Sequence, residues 1–389
     1  MVNIWHMYQR LAKLSKTHSF FLFGARGTGK TELLKQRLSP NKAFVVNLLD
    51  PELVNELSAY PNRLLSLIGP PSKPWIVIDE VQKVPALLDI VHHQISEQNF
   101  KFALTGSSAR KLKRGAANLL AGRAFVFNLF PLTHVELGND FLLHDALNFG
   151  TLPEVCNLED PLDKKRFLKA YANTYLKEEI IAEQIVRNLP PFRRFLNIVG
   201  LHTTEIVSYS NIAKDIDSDA KTVQRYYEIL EDTLLGFYLP SFGKSVRKQQ
   251  RKSKKFYFLD NGLVRALSRR IDDALVSQSF EYGQLFENFV VNEVYRLLSY
   301  SEKEFKLSFL RVSENQEIDL IIEKGGSEVY ACEIKATNKA DDRHVRSLQT
   351  LGSDIDGAKL RLISCDPTVK QFGNVTALPW QAALSEICL

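Results

Sequence analysis

Residues 24–31 read Gly24-Ala25-Arg26-Gly27-Thr28-Gly29-Lys30-Thr31. This spacing suits the binding of a phosphate chain, because glycines let successive backbone amides curl around a phosphate, the lysine neutralises its charge, and the last hydroxyl ligates a magnesium ion. The stretch through Glu32 is therefore a candidate ATP-binding loop. A second apolar run, Trp75 to Ile78, ends in Asp79-Glu80. Asp79 at that strand end could hold the magnesium through water, with Glu80 polarising the attacking water, a pairing that suits hydrolysis rather than binding alone. The plainer reading of the same residues is a strand ending in a helix-capping acid.

Two more positions could act on the same phosphates. The run Phe102 to Thr105 leads into Gly106-Ser107-Ser108, which would bring the Ser107 hydroxyl near a γ-phosphate, although a turn cap uses the same residues. Arg123 follows Leu119-Leu120-Ala121-Gly122 and precedes the apolar run 124–130, at a helix end and a strand start. A surface arginine near a helix C-terminus fits that position, and so does a cation aimed at a transferred phosphoryl group.

A second constellation lies near the C-terminus, where 317–336 read EIDLIIEKGGSEVYACEIKA. Two apolar strands there carry Asp319, Glu333 and Lys335, and side-chain alternation lets all three share one face. Converging carboxylates repel unless a cation joins them, which points to Mg2+ or Mn2+ held by Asp319 and Glu333. Such a metal polarises a phosphodiester, and Lys335 would stabilise developing charge or orient the nucleophile. A salt bridge on an exposed sheet accounts for the same residues without chemistry.

Between these regions, GKSVRKQQRKSKK carries Lys244, Arg247, Lys248, Arg251, Lys252, Lys254 and Lys255 without an acid. Flanked by the strand-like runs 237–239 and 256–259, it reads as a hairpin with a basic tip suited to nucleic-acid phosphates, DNA first and RNA also admissible.

The elements that must position these groups follow from patterning. The 389 residues, 45% hydrophobic and 24% charged with a net charge of +5, bound two or three globular domains. The N-terminal third alternates buried-type strands with helices, an α/β pattern with a parallel sheet. From Phe141 to Val207 apolar residues recur at helical steps. Ser208 to Ile216 and the segment after Asp219 then read as helix, turn, helix, followed by the hairpin, which is a winged-helix pattern. The rest reads αβββαβ: a helix at Gly283–Ser299, strands at Phe305–Val312, Glu317–Glu323 and Val329–Ala336, a helix at Asp341–Leu351 and a strand at Leu360–Ser364. The expected divisions are 1–140, 141–260 and 261–389. No apolar run approaches the roughly 20 residues that span a bilayer, so no membrane is expected and a cytoplasmic location is. Four scattered cysteines, Cys156, Cys332, Cys365 and Cys388, read as reduced thiols.

The whole chain resembles prokaryotic AAA+-type ATPases whose C-terminal half is a domain of unknown function with a nuclease-like fold. The resemblance rests on GARGTGKT, WIVIDEVQKVPALLD, LTGSSA, LAGR followed by PLTHVEL, and the EIDL and CEIK strands. It implies that Arg123 is an arginine finger reaching a neighbouring subunit, hence a homo-oligomer, and that the middle helices form a lid. The C-terminal region is similar to the PD-(D/E)xK nuclease superfamily in strand order and D-x13-E-x-K spacing, with Ile318 where proline often stands. That likeness implies a further carboxylate from the first helix, Glu287, and a glutamine from the following helix, Gln349. Together these resemblances imply an ATP-hydrolysing protein that binds or cuts duplex or branched DNA. An ATP-dependent switch with a silent nuclease-like module is the second reading.

Overall fold

The structure is a computed structural model that describes residues 7–39, 41–69, 73–98, 100–107, 122–175, 189–243, 253–313, 316–325 and 328–389. Contacts divide the chain into two compact units: Met1–Leu132 with Leu152–Glu154 and Leu230–Leu235, and the remainder.

The first unit is built on a five-stranded sheet in the order β2-β3-β4-β1-β5, with β1 Ser19–Phe23, β2 Ala43–Asn47, β3 Trp75–Asp79, β4 Lys101–Gly106 and β5 Ala124–Asn128. Every pairing is parallel. Strands β1 and β3 are buried along their whole length, which explains why SFFLF and WIVID read as unbroken apolar runs rather than alternating ones. One core cluster joins Phe21, Val46, Ile76, Ile78 and Leu104 to Leu87, Leu88 and Val91 of helix 87–98. Helix α1, Lys30–Arg37, starts directly after the glycine-rich turn that leaves β1. This is the α/β architecture expected from the sequence.

In the second unit a short helix, His134–Leu137, is followed by α2 Leu143–Phe149, α3 Pro161–Tyr175, α4 Leu189–Leu201, α5 Tyr209–Asp215 and α6 Ala220–Asp232, whose last residues belong to the first unit. An antiparallel pair follows, β6 Gly236–Pro240 with β7 Lys254–Phe258. After it come α7 Asn261–Leu267 and α8 Phe280–Tyr300. A six-stranded mixed sheet follows in the order β12-β13-β11-β10-β9-β8, and the helix Trp380–Cys388 comes after its last strand. Its strands are β8 Phe305–Ser313, β9 Gln316–Lys324, β10 Glu328–Lys335, β11 Ala358–Ser364, β12 Lys370–Phe372 and β13 Val375–Pro379. Helix α9, Arg346–Gly352, precedes β11, so the expected αβββαβ order is present and is extended by β12 and β13. Among the described residues no helix is long and apolar enough to cross a membrane.

Helix α8 is buried on its polar side as well as its apolar one. Asn288, Asn292, Glu293 and Arg296 are all within a few per cent of full burial. Three of them are tolerated because they cap the carbonyls where β7 ends: the Asn288 amide donates to Phe258 O at 3.0 Å, Asn292 donates to the same oxygen, and Arg296 donates to Leu259 O, while Glu293 accepts from His134 N at 3.0 Å. The β6–β7 hairpin is also fixed to the C-terminal sheet by the Ser241–Phe309 bridge, and to α8 by the stacked rings of Phe237 and Tyr295, 4.2 Å apart.

Where α7 meets α2 the backbones leave no room for a side chain: a Cβ on Gly262 would sit 1.9 Å from the Phe149 carbonyl oxygen. Gly283, in helix α8, has nothing within 4 Å of that position. Gly262→Ala should therefore cost about 1–3 kcal/mol of stability through forced backbone shifts. Gly283→Ala should instead gain about 0.4–1 kcal/mol. Urea midpoints of the two variants should move in opposite directions, and a shared direction would contradict the packing described.

Candidate functional sites

In the first unit the glycine-rich turn joins the end of β1 to α1. Gly29 has φ +88° and Gly27 φ +78°, the left-handed region open to glycine. At Gly24 a Cβ would lie 2.4 Å from the Leu129 carbonyl oxygen. The turn is pinned from outside the motif by Arg10, whose guanidinium donates to Thr28 O and Phe130 O, both at 2.6 Å. Thr28 is fully buried, with its hydroxyl donating to Ala25 O, while Arg26, Gly27, Thr31 and Glu32 are exposed. Lys30 Nζ folds onto the loop and donates to Gly24 O at 2.7 Å and Ala25 O at 3.3 Å.

Asp79, buried at the end of β3, gathers hydroxyls. Thr31 Oγ1 donates to its Oδ2 at 2.9 Å, and Thr105 Oγ1, at the end of β4, donates to its Oδ1. Thr105 also accepts from Glu80 N at 3.1 Å. Glu80 adopts φ +60°, rare for a residue with a side chain and concentrated at functional positions. Gln82 bridges the two sequence candidates, its amide donating to the Glu80 carboxylate and, at 3.2 Å, to Ser107 Oγ. Thr31 and Asp79 thus form a hydroxyl–carboxylate donor pair that fits a magnesium ion, and Glu80 stands beside it in hydrogen-bonded order. Arg123 is exposed, its Nε donating to Ser96 Oγ at 3.0 Å.

In the second unit Asp319 on β9 and Glu333 on β10 meet as their alternation predicts. Lys335 Nζ lies 2.6 Å from Glu333 Oε1 and 3.6 Å from Asp319 Oδ2. Asp319 Oδ2 also accepts the Ile334 N–H at 2.8 Å. Glu333 Oε2 is buried and has no hydrogen-bond partner among the described residues. Burial first, and then the Asp319 charge, push the Glu333 carboxyl up to about 8 against the opposing pull of Lys335. Burial opposes the charge on Lys335, but Asp319 and Glu333 outweigh it and raise its pKa.

Glu287, from α8, enters the same cluster. It accepts from Tyr257 Oη at 2.7 Å and from Lys255 Nζ at 3.3 Å, and burial raises its pKa despite Lys255. Lys255 also pairs with Glu317. Burial would lower the Lys255 pKa, but Glu287, Asp319 and Glu317 together raise it, so it stays charged.

Lys255 is thus the main correction to the basic hairpin. Alternation along β7 turns it inward, where it is 4% exposed among carboxylates rather than displayed to a nucleic acid. Lys254 lies on the same strand, opposite Pro240, with Nζ 3.5 Å from the centre of the Tyr238 ring. Lys244, Arg247, Lys248, Arg251 and Lys252 lie outside the described residues. Gln349 stands apart from the cluster: its amide donates to Phe372 O at 3.1 Å, tying α9 to β12.

Among the described residues no three His, Cys, Asp or Glu side chains are grouped to hold a metal. Magnesium is nevertheless commonly held by one or two carboxylates together with water and substrate phosphates. Asp319 and Glu333, with the unpartnered Oε2, fit that smaller donor set.

Sequence reasoning missed Arg10, Gln82 and Thr105 in the first site, and Tyr257 and Glu317 in the second. Gln82 and Thr105 carry a signal, lying two residues after Glu80 and two before Ser107. Arg10 and Tyr257 carry none, because their partners are remote in sequence.

Residues 16–138 match the family described as an AAA domain. Residues 140–274 and 282–383 match two domains of unknown function, DUF8612 and DUF4143. An uncharacterized protein of Mycobacterium tuberculosis is 26% identical over 346 residues, covering 88% of this chain and 75% of that one. An uncharacterized protein of Methanocaldococcus jannaschii is 24% identical over 376 residues, covering 88% and 81%. Among solved structures, the Aeropyrum pernix ORC1 protein in complex with DNA aligns at a TM-score of 0.33 and 14% identity, covering 66% of this chain and 87% of that one.

The raised Glu333 carboxyl has a consequence for stability. Its folded pKa, about 8, exceeds the ordinary 4.5, so the folded chain keeps a proton that the unfolded chain releases. That contribution is present below about pH 4.5 and is lost as pH rises towards 8. Between pH 5 and 8 the wild type should lose about 3–4 kcal/mol more than Glu333→Gln, which lacks the titration. Urea midpoints at the two pH values test this, and parallel curves would refute the burial-driven shift.

Proposed function

We propose that the chain is an ATP-hydrolysing protein that acts on nucleic acid through its C-terminal domain. The observation that carries the reading is the ordered network at the end of β3: Asp79 holding Thr31 and Thr105, with Glu80 steadied by Gln82. In this reading the amides of residues 24–31, with Glu32 alongside, cradle the phosphates and Lys30 exchanges its carbonyl partners for them. Thr31 and Asp79 would hold magnesium, which neutralises charge on the β- and γ-phosphates. Glu80 orients and polarises the attacking water, and Ser107, linked through Gln82, reports the state of the γ-phosphate. Arg123, on the surface, serves as a finger towards a second copy of the chain in a homo-oligomer.

The divisions 1–140, 141–260 and 261–389 separate the ATPase part, the helical and winged-helix part with its basic hairpin, and the nuclease-like part. In the last, Asp319 and Glu333 would hold Mg2+ or Mn2+, which polarises a phosphodiester. Lys335 neutralises the developing charge, and Glu287, held by Lys255 and Tyr257, shapes the floor of the site. Duplex or branched DNA is the expected substrate, with RNA the competing polymer. Gln349 has no part in it, since its amide is engaged at Phe372.

One observation favours a second reading, an ATP-dependent switch with a silent nuclease-like module. Lys255 pairs with Glu287 and Glu317, and Lys335 with Asp319 and Glu333, so every carboxylate of the cluster already has an ammonium partner without a metal.

Lys30→Ala should abolish ATP turnover, and Glu80→Gln should retain ATP binding while losing about 10²–10⁴-fold in turnover. Fluorescent-nucleotide binding and phosphate release would read the two separately. Unimpaired turnover in Glu80→Gln would remove that residue from the mechanism.

Cleavage of duplex, single-stranded and branched DNA and of RNA, with Mg2+ or Mn2+ and with or without ATP, tests the C-terminal site. Lys335→Ala should lose cutting and keep ATPase activity. If the wild type hydrolyses ATP and cuts none of these, the switch reading stands.

A further inference from the structure

The helical part of the second unit contains a cleft of about 420 Å³ that none of the chemistry above uses. It opens between α3, α4 and the turn that follows α7, a region matching a domain of unknown function. Its size falls within the roughly 300–1,000 Å³ of small-molecule sites. The floor is apolar: Leu196 is 1% exposed, Ile271 1% and Leu267 6%. The closeness of the helices is set partly at Gly200, where a Cβ would come within 3.1 Å of Ser268 Cβ, so α4 and α7 touch backbone to backbone beside the cleft.

Three cations line the walls: Lys169 from α3, Arg193 from α4 and Arg269 after α7. Among the described residues one acid lines the cleft with them, Asp272, paired with Lys169 at 2.6 Å. Lys165 Nζ also donates to the Asp272 backbone oxygen at 3.3 Å, so the turn carrying the acid is held by two lysines of one helix. That leaves Arg193 and Arg269, both exposed, whose side chains make no hydrogen bond or ion pair to a described residue. Arg269 stands at φ +62°, a left-handed conformation that an arginine adopts only where its surroundings impose it.

An apolar lining beside two guanidinium groups that no described acid pairs is a division of labour common to ligand sites. The floor accepts a flat or aliphatic body, and the planar donor forks match phosphate oxygens two at a time. A surface arginine without a function needs no apolar cavity beside it, and a purely apolar pocket gains nothing from two uncompensated positive charges.

We propose that this cleft binds a small phosphorylated molecule of nucleotide size, with its phosphate on Arg193 and Arg269 and its body in the cleft against Ala266 and Leu267. The site is separate from the glycine-rich loop, since every lining residue belongs to the second unit. The ligand is therefore an additional one and not the hydrolysed ATP.

The test uses the full chain carrying Lys30→Ala, which silences the loop, titrated calorimetrically with AMP, ADP and inorganic phosphate at about 0.15 M salt, where exposed charges more than roughly 8 Å apart are screened. The expected result is one saturable site for at least one nucleotide. Adding Arg193→Gln and Arg269→Gln should weaken it at least about tenfold, the worth of a lost charged hydrogen bond. Arg194→Gln, the exposed neighbour that does not line the cleft, should leave affinity unchanged. Both arginines are exposed, so the multiple variant should melt at the temperature of its parent, and an unchanged melting point ties lost binding to the cleft.

Absence of saturation by all three probes, or binding indifferent to the arginine substitutions, would overturn the proposal. So would a single-stranded oligonucleotide whose affinity depends on both arginines while the mononucleotides fail to bind, because the cleft would then serve a polymer backbone. A loss of ATP turnover in the loop variant bears only on the ATPase reading and leaves this outcome independent.

Discussion

A carboxylate carried to the end of a buried strand has to be met by donors or cations, and the candidate chemistry of this chain depends on how each one is met. Taking an ion out of water costs several kcal/mol unless its oxygens find partners. At Asp79 the partners are hydroxyls, Thr31 from the helix after β1 and Thr105 from β4. They converge because β3, β4 and β1 are neighbours running in parallel, with their carboxyl ends on one edge of the sheet. At Asp319, Glu333, Glu287 and Glu317 the partners are ammonium groups. Hydroxyls leave a carboxylate its full charge and so leave it available to a metal, whereas lysines neutralise it. The difference in partner chemistry is why the first site reads so directly as a nucleotide site and the second admits two functional readings.

How much of this was legible depended on whether partners are close in sequence. The glycine-rich loop declares itself because its chemistry is contained in consecutive residues, and Asp79-Glu80 because a fully buried strand ends there. The αβββαβ order was equally readable, since each strand keeps its own apolar pattern and turn. Arg10 was not readable: its carbonyl partners, at Thr28 and Phe130, are 18 and 120 residues away. Nor was Tyr257, which reaches Glu287 across 30 residues. The sequence of α8 reads as an apolar helix, yet Asn288, Asn292 and Arg296 lie buried within it because the end of β7 offers them carbonyls. Nothing local records that opportunity.

Lys255 shows the opposite error, a local signal that was too strong. Seven cations without an acid look like one exposed surface. A strand running into that segment divides it, since successive side chains point to opposite faces. Lys254 rests on the Tyr238 ring while Lys255 enters the carboxylate cluster. Charge counted along a sequence therefore overstated the charge available to a partner, and pairing Phe237 with Tyr257 in the ladder is what decides which lysine turns inward.

The two lysines of the C-terminal cluster are not equivalent, and the difference bears on whether it is a finished ion-pair core or a site held ready. The Lys255 side chain is 5% exposed, locked between Glu287 and Glu317 with the Phe309 ring 5.5 Å from Nζ. The Lys335 side chain is 40% exposed and reaches its acids from the solvent side. Removing Lys255 would strand buried charge, whereas Lys335 can return to water and recover its hydration. The exchangeable cation is thus the one on Asp319 and Glu333, and the buried oxygen of this cluster that no described group satisfies, Glu333 Oε2, belongs to the same pair. A cluster built only for stability would place its weakest pairing elsewhere than beside its orphaned carboxylate oxygen. The asymmetry favours Lys255 as the fixed half of the cluster and Asp319 with Glu333 as the half left open to a ligand.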